Sequence, residues 1–385
     1  MGSEDVVEER QASWLELFFD LVLVAAVAAL GSELHHDRSL TGLAVFAGLF
    51  VPVWWIWWGF TWYSSAFNDD DAINRAALLA AMAGVGAVVV GIPGAAHRDS
   101  TTFVVAYACL FALLALLYAR AWVRVPASRS LSARSVIGDS AGAAIWLASL
   151  AFDEGVRPFI WAIGMVCLMV APVLAARSLE TLSYDARHIA ERYGLFTLIV
   201  LGESVVATIA SLDAHACLAA VVVALLGLVI AAAIWWLYFD RWRSMPAGGL
   251  RSGYVWAQGH LLVFAGIAAA AVGIEFAVEA AKAGQRLDLA ERLPLGAGLA
   301  AYLVAMALIR GATRRADWVV GLRVAVAAAV LVVTVIGGVR PLIGVAIVAV
   351  LMALEAAWEL SRAPAEPARA RPRLPHETAR PRGSA

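Results

Sequence analysis

The sequence predicts an all-α, polytopic membrane protein of about twelve transmembrane helices in two parallel six-helix repeats. The first observation is composition, because 62% of the 385 residues are hydrophobic and 15% are charged. Soluble domains average roughly 45–50% apolar and about 25% charged residues. The second observation is a series of twelve apolar segments, and the third is a match between the two halves of the chain. Together they indicate a chain that lies mostly within a bilayer.

Charge and cysteine content exclude several other classes of protein. The chain has 29 basic and 30 acidic residues, so it lacks the basic field that nucleic acid requires, and nucleic acid is not an expected partner. Cys109, Cys167 and Cys217 stand singly without CxxC spacing, and we expect them to be small buried hydrophobic residues. The N-terminal MGSEDVVEER is acidic where a signal peptide would be basic, so we expect insertion without cleavage.

Twelve apolar segments are candidates for membrane spans. A transmembrane helix needs ~20 mostly apolar residues, within a range of ~17–25, and the fifth segment is short by this measure. We place the spans at 16–34, 42–63, 76–93, 103–122, 136–151, 158–176, 194–211, 216–239, 254–280, 295–312, 319–338 and 341–360.

Basic residues in the connections predict the orientation, because cytoplasmic loops carry the excess of Arg and Lys. With the N-terminus inside, the cytoplasmic segments hold 21 of these residues and the external turns hold seven. Both termini are therefore predicted to be cytoplasmic, with residues 1–15 as an N-terminal segment. Residues 361–385 are rich in Pro, Arg and Ala and are predicted to form a disordered cytoplasmic tail.

The two halves of the chain share short sequence matches in the same order. GVRPFI at 155–160 matches GVRPLI at 338–343, and AGVGAVVVGI at 83–92 aligns with AGIAAAAVGI at 265–274. These matches predict a duplication, with a first repeat at 16–176 and a second at 177–360. Six spans in each repeat give the copies parallel topology, and ligand sites in such folds form where the copies meet. The first helix of each repeat is a natural candidate to line that junction.

Acidic residues lie within two of the predicted spans. In ELFFDLVLV, Glu16 and Asp20 are four residues apart and therefore share one helical face. Glu203, in LIVLGESVVA, is the deepest acid. Such charges are retained only where they face protein or water, so the acids indicate either a route for a shared proton or bound cation, or a buried structural salt bridge, for example with Arg192.

A polar segment, LSYDARHIAERYGLF, leads into the seventh predicted span. Asp185, His188 and Arg192 share one helical face, and Glu191 lies three residues after His188. This spacing is compatible with a metal, with a proton or substrate role, or with a hydrogen-bonded network. No second His–carboxylate set is present in the sequence, so no metal or cofactor is predicted.

Further polar candidates lie near the predicted inner side of the membrane. Asp240, in WWLYFDRW, and His260, early in the ninth span, are assigned to the same network. Asp139 and Glu275 are additional candidates. The aromatic stretch VWWIWWGFTWYSS either forms an interfacial belt and packs in the interior, or provides a cation-π cage for a ligand.

Two stretches carry a resemblance to a known family. ELFFDLVLV and HIAERYGLFTLIVLGESVVA resemble the bacterial low temperature requirement protein A family, and WWLYFDRW with the following span is similar to the next family block. The resemblance covers nearly all of 13–360. It implies a multi-pass protein of the bacterial inner membrane, in a family named for a growth phenotype in the cold.

A second likeness is to the two-repeat, six-helix potassium channels of the lysosomal type. Those channels carry Phe-Ser-Asp in the first helix of each repeat. Here the sequence is Phe18-Phe19-Asp20, Trp14 stands at the position of an Arg, and Leu198 replaces the second Asp. The chain therefore departs from the pattern of that pore.

The leading hypothesis is a transporter or channel-like permease for a proton, a cation or a small solute. Its partners would be the lipid bilayer and the transported species, and it would not be an enzyme. The alternatives are a membrane sensor or assembly protein with structural acids, or an intramembrane lipid-modifying enzyme. The residues assigned to the polar route are Glu16, Asp20, His188, Glu191, Arg192, Glu203, Asp240 and His260.

Overall fold

A computed structural model describes residues 12–67, 71–179, 186–212, 216–239, 249–313 and 317–362 of the protein. These residues form twelve α-helices and their connections. The predicted segments 1–15 and 361–385 lie largely outside these residues, and Asp185 and Asp240, which were predicted to take part in the polar network, lie wholly outside them. The helices are α1 Trp14–His36, α2 Leu40–Phe67, α3 Ala72–His97, α4 Thr101–Arg124, α5 Arg129–Ala148, α6 Arg157–Leu179, α7 Ala186–Ala210, α8 Leu218–Phe239, α9 Gly249–Ala283, α10 Leu289–Thr313, α11 Trp318–Ile336 and α12 Pro341–Ser361.

The predicted all-α membrane architecture is confirmed. Within the described ranges, eleven of the helices are long and apolar enough to cross a membrane, and no strand occurs. The predicted border between the repeats, at 176 and 177, falls inside the last turns of α6, which continues to Leu179. The seventh helix begins at Ala186 rather than near 194, and two polar residues of its first turns, His188 and Arg192, are buried against protein.

Of the twelve described helices, α5 is the one that is not apolar enough to be a candidate membrane span. Its buried face includes the polar residues Ser132, Ser135 and Asp139, whereas Ile137 and Leu147 are exposed. The helix packs between α4 and α6, and a Cβ on Gly138 would lie 2.3 Å from the Cβ of Ala171. Small residues let membrane helices approach closely. The polarity of α5 is thus directed towards protein, as a bilayer requires.

The cysteine expectation was wrong for two of the three residues. Cys109 and Cys217 are exposed, and Cys167 is partly buried. In a membrane protein the outer surface of the helices is itself apolar because lipid is as apolar as a protein core. An apolar setting in the sequence therefore does not imply burial inside the fold.

Helix α9 lies at the centre of the second half and packs against α1, α2, α7, α8, α10 and α12. Its closest neighbour is α10, at a crossing of two glycines. A Cβ on Gly266 would lie 2.5 Å from the carbonyl oxygen of Gly298, and one on Gly298 would lie 2.6 Å from that of Gly266. Only glycine allows this backbone contact.

Helices follow the same order of neighbours in both halves. In the first half, α1 packs against α2 and α3, and α3 to α6 pack in succession; in the second, α7 packs against α8 and α9, and α9 to α12 pack in succession. The matched hexapeptides lie at the starts of α6 and α12. The duplication itself stays a prediction. What the structure establishes is that α1 and α2 meet α7 and α9, so the first helices of the two halves are in contact.

Candidate functional site

The two acids of α1 are buried at its contact with α7. Glu16 is 4% exposed and Asp20 is 0% exposed. Ser13 caps the helix: its hydroxyl accepts from the backbone N–H of Glu16 at 3.2 Å, and its own N–H donates to Glu16 Oε2 at 2.9 Å. This capping box fixes the start of α1 and holds the Glu16 side chain near the helix end.

Arg192 of α7 lies between the two acids. Its Nε donates to Asp20 Oδ2 at 3.1 Å and one terminal nitrogen donates to Asp20 Oδ1 at 2.5 Å. The other terminal nitrogen lies 3.1 Å from Glu16 Oε1. The guanidinium therefore binds Asp20 through two nitrogens, a geometry that its planar fork favours, and bridges to Glu16. This is the salt bridge that the sequence offered as its structural alternative.

Two further donors complete the set of groups around the acids. Trp57 of α2 donates from Nε1 to Asp20 Oδ1 at 2.7 Å, and His188 Nε2 lies 3.3 Å from Glu16 Oε1. Glu16, Asp20, Trp57, His188 and Arg192 are called the α1–α7 network below. His188 and Arg192 lie one turn apart on α7 and face Glu16 and Asp20, so α1 and α7 run in the same direction at this contact.

An aromatic cluster surrounds the network. Trp57 stacks on Phe196 at 4.7 Å between ring centroids and on Trp54 at 5.0 Å. Tyr193 packs edge-on to Trp57 and also contacts His260. Trp54 and Trp57 are buried. Of the alternatives proposed for the tryptophan stretch, packing in the interior therefore applies to these two residues. The aromatic rings help to bury Asp20, and the low dielectric constant of such surroundings strengthens its electrostatic interactions.

His260 is buried as a neighbour of the network rather than as a member. Its Nε2 lies 3.0 Å from the hydroxyl of Tyr238, and its Nδ1 lies 2.7 Å from the carbonyl oxygen of Trp256. Glu191, by contrast, is exposed on α7. His188 is buried and its Nε2 lies 3.3 Å from Glu16 Oε1, and a shared role of His188 and Glu191 stays a prediction.

Glu203 lies far from Asp20. It follows Arg192 by eleven residues on α7, which corresponds to roughly 16 Å along a helix. Glu203 is half-buried and lines a cleft of about 290 Å³ between α1, α7 and α9, together with Ser32, His35, Ser204 and Glu275. This cleft, called the His35 cleft, lies at the opposite end of α1 from Glu16. The acids of the predicted route thus form two separate groups.

A charged cluster borders the His35 cleft. His35 Nδ1 lies 3.2 Å from Glu275 Oε2, and His35 Nε2 lies 3.1 Å from Glu279 Oε1. Arg38 forms an ion pair with Glu279 and contacts Glu291 at 3.5 Å. The sequence analysis missed His35, Arg38 and Glu279. A signal was present, since Glu275 and Glu279 are four residues apart and share a face of α9.

A second cleft, called the Glu16 cleft, opens at the other end of α1. Its volume is about 630 Å³, and α1, α2, α3 and α4 line it. The polar lining includes Ser13, Glu16, Ser64 and Arg75, and the remaining wall is mostly apolar. Glu16 therefore belongs both to this cleft and to the buried network.

Metal ligation finds no support in the part of the chain that the structure describes. No group of three or more His, Cys, Asp and Glu side chains is arranged to hold an ion there. The carboxylates of the α1–α7 network are occupied by Arg192, Trp57 and His188.

The fold and the site define a polytopic helical membrane protein with a carboxylate–arginine network buried where its two halves meet. The family profile of the bacterial low temperature requirement A protein matches residues 11–356. The chain belongs to this family, as its motifs suggested. It is also similar to an uncharacterized protein of Rhizobium meliloti (strain 1021), with 28% identity over 292 residues that cover 70% of each chain. No solved structure matches.

Proposed function

We propose that this protein is a transporter or channel-like permease for a proton, a cation or a small solute, and that it moves this species along the contact of α1 with α7 and α9. The observation that carries the proposal is the pair of clefts at opposite ends of α1. Each contains an acid, Glu16 in one and Glu203 in the other. Carboxylates are the side chains expected where a proton or cation crosses a membrane protein.

Buried residues separate the two clefts. Val27, the first α1 residue of the His35 cleft, comes eleven positions after Glu16, which corresponds to roughly 16 Å of helix. Asp20 and Leu23 occupy this interval and are fully buried. An arrangement of two clefts on either side of a closed barrier is what alternating access requires. In this proposal the barrier opens at the Asp20–Arg192 ion pair, when the charge of one of these two residues changes.

The chemistry of the His35 cleft fits a cationic species. Both ring nitrogens of His35 lie close to carboxylate oxygens, at 3.2 Å from Glu275 and 3.1 Å from Glu279. Glu203 and Glu275 add acceptor oxygens to the same cleft. We further propose a location in the bacterial inner membrane with both termini cytoplasmic, which the excess of basic residues supports. In this proposal the Glu16 cleft opens to the cytoplasm, and no covalent chemistry takes place.

The test is ion flux into liposomes that contain the purified protein, with gradients of K⁺, Na⁺ and pH imposed in turn. We expect flux under at least one gradient, and we expect Glu203→Gln to reduce it to the level of empty liposomes. Glu33→Gln is the matched control, because Glu33 lies on the same end of α1 but contacts His97 of α3 at 3.1 Å. Wild-type flux in the control and none in Glu203→Gln would support the proposal; equal flux in both variants would contradict it.

The second candidate is a sensor or assembly protein in which the acids are structural. The complete pairing of Asp20 by Arg192 and Trp57 favours it, because a fully satisfied buried network holds helices in one arrangement. In that case Asp20→Asn would lower thermal stability, and wild-type liposomes would show no flux under any gradient.

A further inference from the structure

A second buried charge network lies between α11 and α12, away from both clefts. Arg323 of α11 faces Glu355 and Glu359 of α12, and the exposed fractions of these three residues are 2%, 2% and 4%. The two acids are four residues apart and therefore share one face of α12. Glu355, Glu359 and Arg323 are called the α11–α12 network.

Arg323 is paired with one of these two acids. Its Nε donates to Glu359 Oε1 at 3.1 Å, and a terminal nitrogen donates to Glu359 Oε2 at 3.3 Å. The other terminal nitrogen donates to the backbone carbonyl of Met306 at 3.2 Å. The guanidinium is thus committed to Glu359 and to α10.

Glu355 has a charged neighbour but no hydrogen-bond donor. The nearest contact of Oε1 is Arg323 Nε at 3.7 Å, which is longer than an N–H···O hydrogen bond. Neither carboxyl oxygen accepts a hydrogen bond from any residue that the structure describes. Two carboxylates and one guanidinium would leave a net negative charge in a site closed to water, and a buried carboxyl group in that situation takes up a proton instead.

The other polar groups near α12 are bonded elsewhere. The helices packed against α12 are α8, α9 and α11. The hydroxyl of Tyr302, on α10, donates to the carbonyl of Ile234 at 2.9 Å. Tyr238 of α8 pairs with His260 of α9 at 3.0 Å. Within the described residues, Arg323 is the cation in contact with Glu355.

We propose that Glu355 is a proton-binding site, which holds one proton and is therefore neutral beside the Arg323–Glu359 pair. When water enters the site, release of the proton breaks the O–H bond of Glu355, forms an O–H bond to that water as hydronium, and leaves a carboxylate beside Arg323. This inference deepens the proposed function and rests on it in one respect only: in a transporter, the coupled ion would be a proton and Glu355 would carry it.

The test is infrared spectroscopy of the full-length protein at neutral pH, comparing wild type with Glu355→Gln. We expect the variant to lose the carbonyl band of one protonated carboxyl group and to keep its carboxylate bands. Glu359→Gln is the matched control on the same helix and should lose carboxylate bands instead. Glu355→Asp should retain a protonated band at a shifted position. Loss of carboxylate intensity in Glu355→Gln would overturn the proposal.

Flux measurements separate this inference from the proposed function. If a pH gradient drives transport in wild type and Glu355→Gln abolishes the proton-driven component, Glu355 carries the coupled proton. If the infrared band is assigned to Glu355 and proton-driven flux is unchanged in the variant, the site stands and its coupling role is refuted. If wild type shows no flux at all, the proposed function fails, and the infrared result still decides the protonation of Glu355.

Discussion

The α1–α7 and α11–α12 networks have the same components and different pairing. Each has two acids four residues apart on one helix and a single arginine on another: Glu16, Asp20 and Arg192 in the first, and Glu355, Glu359 and Arg323 in the second. All are buried. The difference lies in the donors around the acids.

In the α1–α7 network every acid is bonded. Asp20 accepts from Trp57 and Arg192, and Glu16 accepts from the Ser13 N–H and contacts His188 and Arg192. In the α11–α12 network the arginine gives one nitrogen to a backbone carbonyl, and Glu355 receives no hydrogen bond from the described residues. The comparison teaches that burial does not distinguish these acids from one another, whereas the number of donors around them does.

The largest expected effect comes from removing the arginine of the fully paired network. Arg192→Leu leaves Asp20 and Glu16 buried without their cation, and breaking such a buried pair destabilises by about 3–5 kcal/mol. Thermal unfolding in detergent measures the loss. The triple variant with Glu16→Gln and Asp20→Asn removes the stranded charges and should recover much of the stability. Arg323→Leu should cost less, because it strands one ionised acid; an equal loss in both single variants would contradict the comparison.

A smaller effect is expected from removing one donor of Asp20. Trp57→Phe deletes the N–H that bonds Asp20 Oδ1 and leaves the ring in place, and a buried acceptor without its partner costs about 1–3 kcal/mol. Trp146→Phe is the control, since Trp146 is equally buried and its N–H bonds no group in the described part of the chain. The stability difference between the two variants isolates the hydrogen bond. Identical unfolding temperatures would show that Asp20 does not need this donor.

An ion pair near solvent provides a reference for both networks. Arg310 hydrogen-bonds Asp317, the N-cap residue of α11, and this bond lowers the pKa of Asp317 from its usual value of 3.8. A lowered folded-state pKa stabilises the protein at pH values above the unfolded pKa, and the contribution is lost as pH falls through the folded value. Asp317→Asn should therefore cost roughly 0.2–1 kcal/mol near neutral pH, and less as the pH approaches 3. A stability difference that grew towards acid would contradict this assignment.

The smallest effect is expected at the acid without donors. Glu355→Gln replaces a neutral carboxyl group by an amide of the same shape, so we expect a change below the ~1 kcal/mol typical of point mutants. Glu359→Gln should destabilise more, because it removes both hydrogen bonds from Arg323. Thermal unfolding of both variants in the same detergent gives the ranking. The reverse order would show that Glu355, and not Glu359, is the ionised acid.

Much of the fold and part of the site could be predicted from the sequence. Hydropathy and length predict the helices, because each span must satisfy its own backbone hydrogen bonds within the membrane. The four-residue spacing of Glu16 and Asp20 predicts a shared face, and Arg192 was correctly offered as their partner. The same reasoning could have found the α11–α12 network, since Arg323 lies inside a predicted span and Glu355 and Glu359 have the same spacing.

What the sequence determined by itself is therefore local: the class of protein, the helices, and which polar side chains share a face. The tertiary structure decided which faces meet. It placed Arg192 on Asp20, which lies 172 residues earlier in the chain, and separated Asp20 from Glu203 in favour of His35 and Glu275. It also paired Arg323 with Glu359 by hydrogen bonds and left Glu355 without a hydrogen-bond donor among the described residues. The physical reason is that helix periodicity fixes positions within one helix, whereas hydrogen bonds between helices depend on packing over long separations in sequence.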